Sequence, residues 1–285
     1  MFDLPKDVTD QIDHNLEQHG AITLPFDVVY LWVHNGDDKL ERVGGADYFG
    51  GWSGKKPDCD TYCEARGLKG MPAGFSETSK RVSGGVKLEL YCSRFVLVAP
   101  IGFRESWSLD RSRFAEYTPG ARHHVQMLAY MYEKHQPDPK QPSTYIPWGA
   151  VVLTAKGFQA NNLTRTLTAW ANALDPVRRK ICPDTPAHFF LRGIGTWGKE
   201  PNFVEVGSGN KKSAITPIDV YVPEKIDEAA LSSWFVGADM ASVMADLAQQ
   251  AKPWLEAWSS NSKPSTPDSW ADTSTPPEEP DDLPF

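Results

Sequence analysis

The chain has 285 residues, of which 40% are apolar, and a formal net charge of −8. That is enough apolar material for one large folded body or two small ones, while no run approaches the ~20 consecutive apolar residues a membrane-spanning helix requires. Four unevenly spaced cysteines do not form a disulfide framework, and Met1 to Asp7 lacks the basic-then-apolar order of a secretory leader, so a soluble protein of a reducing compartment is expected.

In chain order, the apolar spacing of Val8, Ile12 and Leu16 predicts a short amphipathic helix ended by Gly20. Leu24 to His34, rich in β-branched and aromatic residues, reads as a strand entering a turn at Asn35-Gly36-Asp37-Asp38. Gly44 to Trp52 mixes glycine pairs with rings and suits a loop that presents flat side chains, and residues 53–80 read as an irregular connection. Val86 to Ala99 begins with alternation and ends in an apolar run, which predicts one long strand or two split by a bulge, continued by Ile101 to Trp107. Tyr145 to Thr154 is a further strand. Phe158, Leu163, Leu167, Trp170 and Leu174 have helical spacing, with Asp175-Pro176 as the stop. Strands follow at Phe189 to Gly195, Phe203 to Val206 and Ile215 to Val222, then helix from Asp227 to Trp258 with one break at Pro253. After Trp258 aliphatic side chains almost vanish, and such a segment cannot offset its ordering entropy by burial. A folded body over 1–258 and a disordered Pro/Ser-rich tail over 259–285 are therefore expected.

The net charge conceals a segregation. Residues 1–79 carry 7 Lys/Arg against 14 Asp/Glu, whereas residues 80–212 carry 19 against 10. A cationic middle between acidic flanks attracts polyanions, because contact with phosphates releases condensed counterions. Within it, cations interleave with rings: Arg94 and Phe95, Phe103-Arg104, Trp107, Arg111, Arg113-Phe114, Tyr117 and Arg122, then Trp197 with Lys199, and Lys211-Lys212. Bases of a single strand stack on such rings at ~1–3 kcal/mol each. Phe95, Phe103 and Phe114, lying in predicted strands, read as core rings. Trp52, Trp107, Tyr117 and Trp197, flanked by polar residues or glycine, read as the candidate platforms.

The chain closes Pro276-Pro277-Glu278-Glu279-Pro280-Asp281-Asp282-Leu283-Pro284-Phe285. A phenyl ring that can fill an apolar pocket, a carboxylate that can pair with a basic side chain and a proline that limits the entropy lost on docking describe a protein-docking peptide. Asp281, Asp282, Leu283, Pro284 and Phe285 resemble the acidic tip of bacterial single-stranded DNA-binding proteins. In that family the tip recruits replication, repair and recombination enzymes. The body does not resemble the usual, shorter bacterial member, so a divergent relative encoded by a phage or mobile element is expected.

The resemblance implies a β-rich α+β fold built on an oligonucleotide-binding barrel with helical additions. It also implies sequence-tolerant binding of single-stranded DNA in the cytoplasm, at the nucleoid, without a cofactor and without catalysis. Homo-oligomerisation is left open. The rival readings are a strand-annealing recombination protein, and an adaptor or enzyme of the replisome carrying a similar tip.

Two weaker signals remain. Cys59 and Cys63 have a spacing compatible with a metal, with Cys92, Cys182 or His188 as the remaining ligands, but free cysteine in an apolar strand is commonly core. Phosphate-loop, dinucleotide-binding, nucleophile-elbow and zinc-protease motifs are absent from the sequence.

Overall fold

A computed structural model describes residues 22–35, 50–81, 87–109, 112–117, 119–135, 143–197, 203–207 and 213–258. It is a β-rich α+β fold in which helices cover both faces of one large mixed sheet. The strands are β1 (Val29–Asn35), β2 (Gly50–Lys55), β3 (Ser76–Arg81), β4 (Lys87–Ser93), β5 (Phe95–Leu109), β6 (Ser112–Phe114), β7 (Arg122–His135), β8 (Thr144–Lys156), β9 (Arg192–Gly195), β10 (Val204–Val206), β11 (Ser213–Ile215) and β12 (Asp219–Val220). The helices are α1 (Lys56–Ala65), α2 (Phe158–Ile181), α3 (Glu228–Trp234) and α4 (Ala238–Glu256), with a 3-10 turn at Ala187–Phe189.

The hydrogen-bonded order is β12-β9-β5-β7-β8-β1-β2-β4-β3, with β6 added beside β5, while β10 and β11 form a separate pair. One parallel pairing joins β1, which buries Val29 and Leu31 on one face, to the segment of β8 that is buried continuously from Trp148 to Leu153. The sheet must curl. β4 lies far from β5 in this order, yet only Arg94 separates them in the chain, so the two regions meet at that end. Side chains fasten the meeting: Trp52 Nε1 donates to Ile194 O at 2.9 Å and Thr196 Oγ1 donates to Gly50 O at 2.8 Å, tying β2 to β9.

The two faces are distinguished by alternation along β5. Val96 and Val98 join the main core with Val125, Met127, Leu153, Leu163, Trp170 and Ile194, under α2. Ala99 and Leu97 face the opposite way, toward Met244 of α4. The register shift between Pro100 and Gly102 inverts the alternation: beyond it Gly102 abuts Leu255 and Arg104 lies over Trp254, whereas Trp107 faces the α2 side. On α2, Leu163, Trp170 and Leu174 are buried, and Gln159 Nε2 donates to Thr216 O at 2.7 Å, which draws the approach to β12 onto the helix.

Several expectations are corrected here. Residues 53–80 are not irregular: β2 runs directly into α1, with Pro57 in the first turn, where its missing N–H costs nothing. Of the two readings of Val86 to Ala99, the one with two strands holds, β4 and β5 being separated by Arg94. Asp175-Pro176 does not stop α2, which continues to Ile181, because Arg178 supplies a new anchor by donating to Asp175 Oδ1 at 3.0 Å and to Thr185 O at 2.8 Å. The final helical region breaks not at Pro253, which lies within α4, but between Trp234 and Ala238, where Gly237 has a φ of 86°. The helix over Val8 to His19, the loop from Gly44 to Phe49, the turn beyond Asn35 and the tail over 259–285 lie outside the described residues.

Candidate nucleic-acid interface

The structure divides the candidate residues between the two ends of β5, on opposite faces of the sheet. At ~3.3 Å per residue, the 15-residue strand holds them on the order of 40 Å apart.

At the start of β5 an open aromatic surface forms. Phe95 stacks on Trp197 with centroids 5.1 Å apart and planes 24° apart, and Trp197 meets Tyr221 at 5.5 Å. All three rings reach solvent, at 47%, 37% and 56% exposure. Glycine makes this possible: a Cβ at Gly193 would lie 3.2 Å from the Trp197 ring, so the indole rests flat over a strand without a side chain beneath it. The backbone entering Trp197 is pinned, since Thr196 N donates to Arg94 O at 2.8 Å, and the indole Nε1 donates to Asp219 O at 3.1 Å. Arg94 lies beside this surface, its Nη2 donating to Thr196 O at 3.4 Å. Rings held in place with exposed faces beside a cation are what base stacking and phosphate contact require.

Near the other end of β5, on the α2 side, Trp107 is half-buried. Its ring lies flat against His123, 4.1 Å away with planes 12° apart, and meets the edge of Tyr117 at 5.0 Å. His123 is itself buried, with Nδ1 2.7 Å from Asn161 Oδ1 and Nε2 3.1 Å from Glu105 Oε2. Trp107 therefore has one face occupied by protein. Tyr117, at 60% exposure, and the exposed Arg122 stand around it.

Two candidates are corrected. Trp52 is fully enclosed, at 0% exposure, with its indole N–H spent on Ile194 O, so it is a core ring that closes the curl of the sheet. The glycines beside it, read from the sequence as loop flexibility, are instead buried strand positions. Arg104 is a structural clamp: its guanidinium lies 3.6 Å from the Trp254 ring and 4.2 Å from the Trp258 ring, and donates to Gln126 Oε1 at 2.9 Å and Trp254 O at 2.8 Å. Its charge holds α4 to the sheet. Arg113 sits on β6, paired with Ser108. Arg111, Lys199, Lys211, Lys212 and the tip residues Asp281, Asp282, Leu283, Pro284 and Phe285 lie outside the described residues.

Phe95 and Tyr221 were missed as platform residues. Phe95 opens an apolar strand, which is the signature of a core ring. The signal that could have found it is Gly193-Ile194-Gly195, a strand with glycine on alternate positions, leaving one face bare for rings to cover.

Cys59 and Cys63 stand one turn apart on α1, both buried. Burial, together with nearby acids, pushes the Cys59 thiol up to about 12, the opposite of what thiolate ligation needs. Among the described residues no cluster of three or more His, Cys, Asp or Glu is placed to hold a metal ion. No helix among them is long and apolar enough to cross a membrane. No protein-family model, curated protein or solved structure matches this chain, so its function has to be read from these residues.

Proposed function

We propose that this chain binds single-stranded DNA with little regard to sequence, and serves in replication, repair or recombination by coating exposed strands. The observation that carries the reading is the exposed Phe95–Trp197–Tyr221 surface, within and beside the cationic 80–212 region. Three adjoining rings, of which Trp197 has its indole N–H already bonded to Asp219 O, offer partly exposed apolar surface that is useful to bases and costly to leave wet. The curled sheet takes the part of an oligonucleotide-binding barrel in this proposal, with the β2–β9 contact through Trp52 and Thr196 as its closure. Asp281 to Phe285 act as the partner-docking peptide. The site of action is the cytoplasm of a bacterial or phage-infected cell.

Quenching of tryptophan fluorescence by oligo-dT and by duplex DNA, across a salt series, tests this. A marked preference for the single strand, with affinity falling steeply as salt rises, is expected. Equal affinity for duplex, or no salt dependence, removes the reading. Deleting Asp281 to Phe285 should leave strand affinity equal or higher and abolish capture of partner enzymes; weaker strand binding would place the peptide in the DNA site.

A further inference from the structure

The cation excess includes one arginine that no aromatic-cation pattern singled out. Arg192 opens β9, and 7% of it is exposed. Its guanidinium lies over the Trp170 ring at 3.8 Å and Nη2 donates to Ala187 O at 3.2 Å, but Nε finds no acceptor. Among the described residues no carboxylate pairs with it. A buried cation with one face on a ring and its edge unsatisfied is a costly arrangement that proteins keep for a reason.

Arg192 borders a cleft of about 360 Å³. The cleft opens where β5 has lost one neighbour: β9 pairs it only as far as Val98, and β6 begins only at Trp107. Ile101, Phe103 and Met127 on the sheet side and Leu167 on α2 make the walls apolar, with His188 beside the arginine. His188 ring nitrogens have no hydrogen-bond partner among the described residues. Burial, and then the charge of Arg192, hold its pKa below the ordinary 6.5, while burial lowers Arg192 to about 9. Arg192 is the group that lacks negative charge, and an anion beside it would also draw a proton onto the solvent-exposed ring of His188.

We propose that the Arg192–His188 cleft is a binding site for a small carboxylate carried on an apolar or aromatic body. Chemistry favours this class over phosphate. A phosphate needs several donors, and the two threonines of the wall have already committed theirs, Thr164 Oγ1 donating to Ala160 O at 3.1 Å and Thr168 Oγ1 to Thr164 O at 3.0 Å. One guanidinium edge and one imidazole match a single carboxylate, and the apolar walls take its stem. The site is separate from the Phe95–Trp197–Tyr221 surface and does not depend on single-strand binding.

Titrating the full chain with benzoate, with inorganic phosphate as the comparison, tests the proposal. Calorimetry should show saturable binding of benzoate and much weaker binding of phosphate. By NMR, the His188 titration midpoint, assigned through His188→Gln, should move up by roughly one pH unit when benzoate is bound, since a neighbouring anion favours the imidazolium. Arg192→Met should keep or raise the melting temperature, because a buried unpaired charge is exchanged for an apolar side chain, and should weaken benzoate at least tenfold. Thr168→Trp, which fills the cleft from an exposed helical position and leaves the arginine in place, should do the same. Unchanged benzoate binding in both variants, tighter binding of phosphate than of benzoate, or a His188 midpoint indifferent to benzoate would each overturn it.

Discussion

Arg94 and Arg104 occupy the same strand region and the same kind of sequence, an arginine next to a phenylalanine, yet they do opposite work. Arg104 is sandwiched by Trp254 and Trp258 and bonded to Gln126 and to the backbone of α4. Arg94 sits where two strands turn into one another, beside rings that face solvent. The same contrast divides the tryptophans: Trp52 is a buried closure and Trp197 an open platform. What a cation or a ring can offer a partner depends on how much of it the fold has left exposed.

The largest effect that would break this comparison is on stability. Trp52→Ala removes a fully buried indole and its bond to β9, and should cost ~3–5 kcal/mol of unfolding free energy by denaturant titration. Oligo-dT affinity of the protein that remains folded should stay the same; a loss there would return Trp52 to the interface. Trp197→Ala should reverse the pattern, lowering oligo-dT affinity by ~1–3 kcal/mol, as expected for one lost stacking platform, with little change in melting temperature. Arg104→Gln should lower stability by ~1.5–3 kcal/mol, the range for hydrogen bonds to a charged group, and leave the salt slope of binding unaltered. Arg94→Gln should instead reduce that slope by about one with the fold intact. A change of slope in the first variant and not the second would invert the assignment.

The smallest effect concerns acid. Hydrogen bonds from Arg178, and then from Arg179, hold the Asp175 carboxyl below its ordinary value. The stability it adds is present above the unfolded-state pKa of about 4 and is lost as pH falls through the lower folded-state value. Asp175→Asn should therefore lower the melting temperature slightly at neutral pH, leave it unchanged in strong acid where the carboxyl is protonated anyway, and so flatten the acid limb of melting temperature against pH. An unchanged acid limb would show that Arg178 and the bonds it makes beyond Ile181 hold the end of α2 without the ion pair.

Much of the fold was legible. Trp148 to Leu153 shows its strand because burial on both faces selects a continuous apolar run, and Lys87 to Leu90 shows its strand by alternation. α2 shows its buried stripe at Leu163, Trp170 and Leu174. Its end was misread because proline removes one backbone donor, a local cost, while the Arg178 bonds that outweigh it reach Pro183 and Thr185 beyond the helix. Of the candidate site, Trp197 was recognisable as a ring in a polar setting. Phe95 was not, since nothing beside it in the chain tells that Gly195 lies across the ladder. Arg192 was invisible for a similar reason: its neighbours in sequence are ordinary strand residues, and its missing counter-charge is a property of the space around it.

By itself the sequence determined the strand-rich composition, the cation excess of residues 80–212 and the acidic, apolar-tipped peptide, all of which are properties of a segment taken alone. Only the tertiary structure decided which rings and cations are available. Trp52 follows a glycine and Trp197 precedes one, and no local rule separates them. One meets the backbone of β9 across the curl of the sheet, and the other lies over the bare face of Gly193 beside Phe95 and keeps 37% of its surface in water. Burial depends on what the chain brings opposite a side chain from a hundred or more residues away, and that is set by packing.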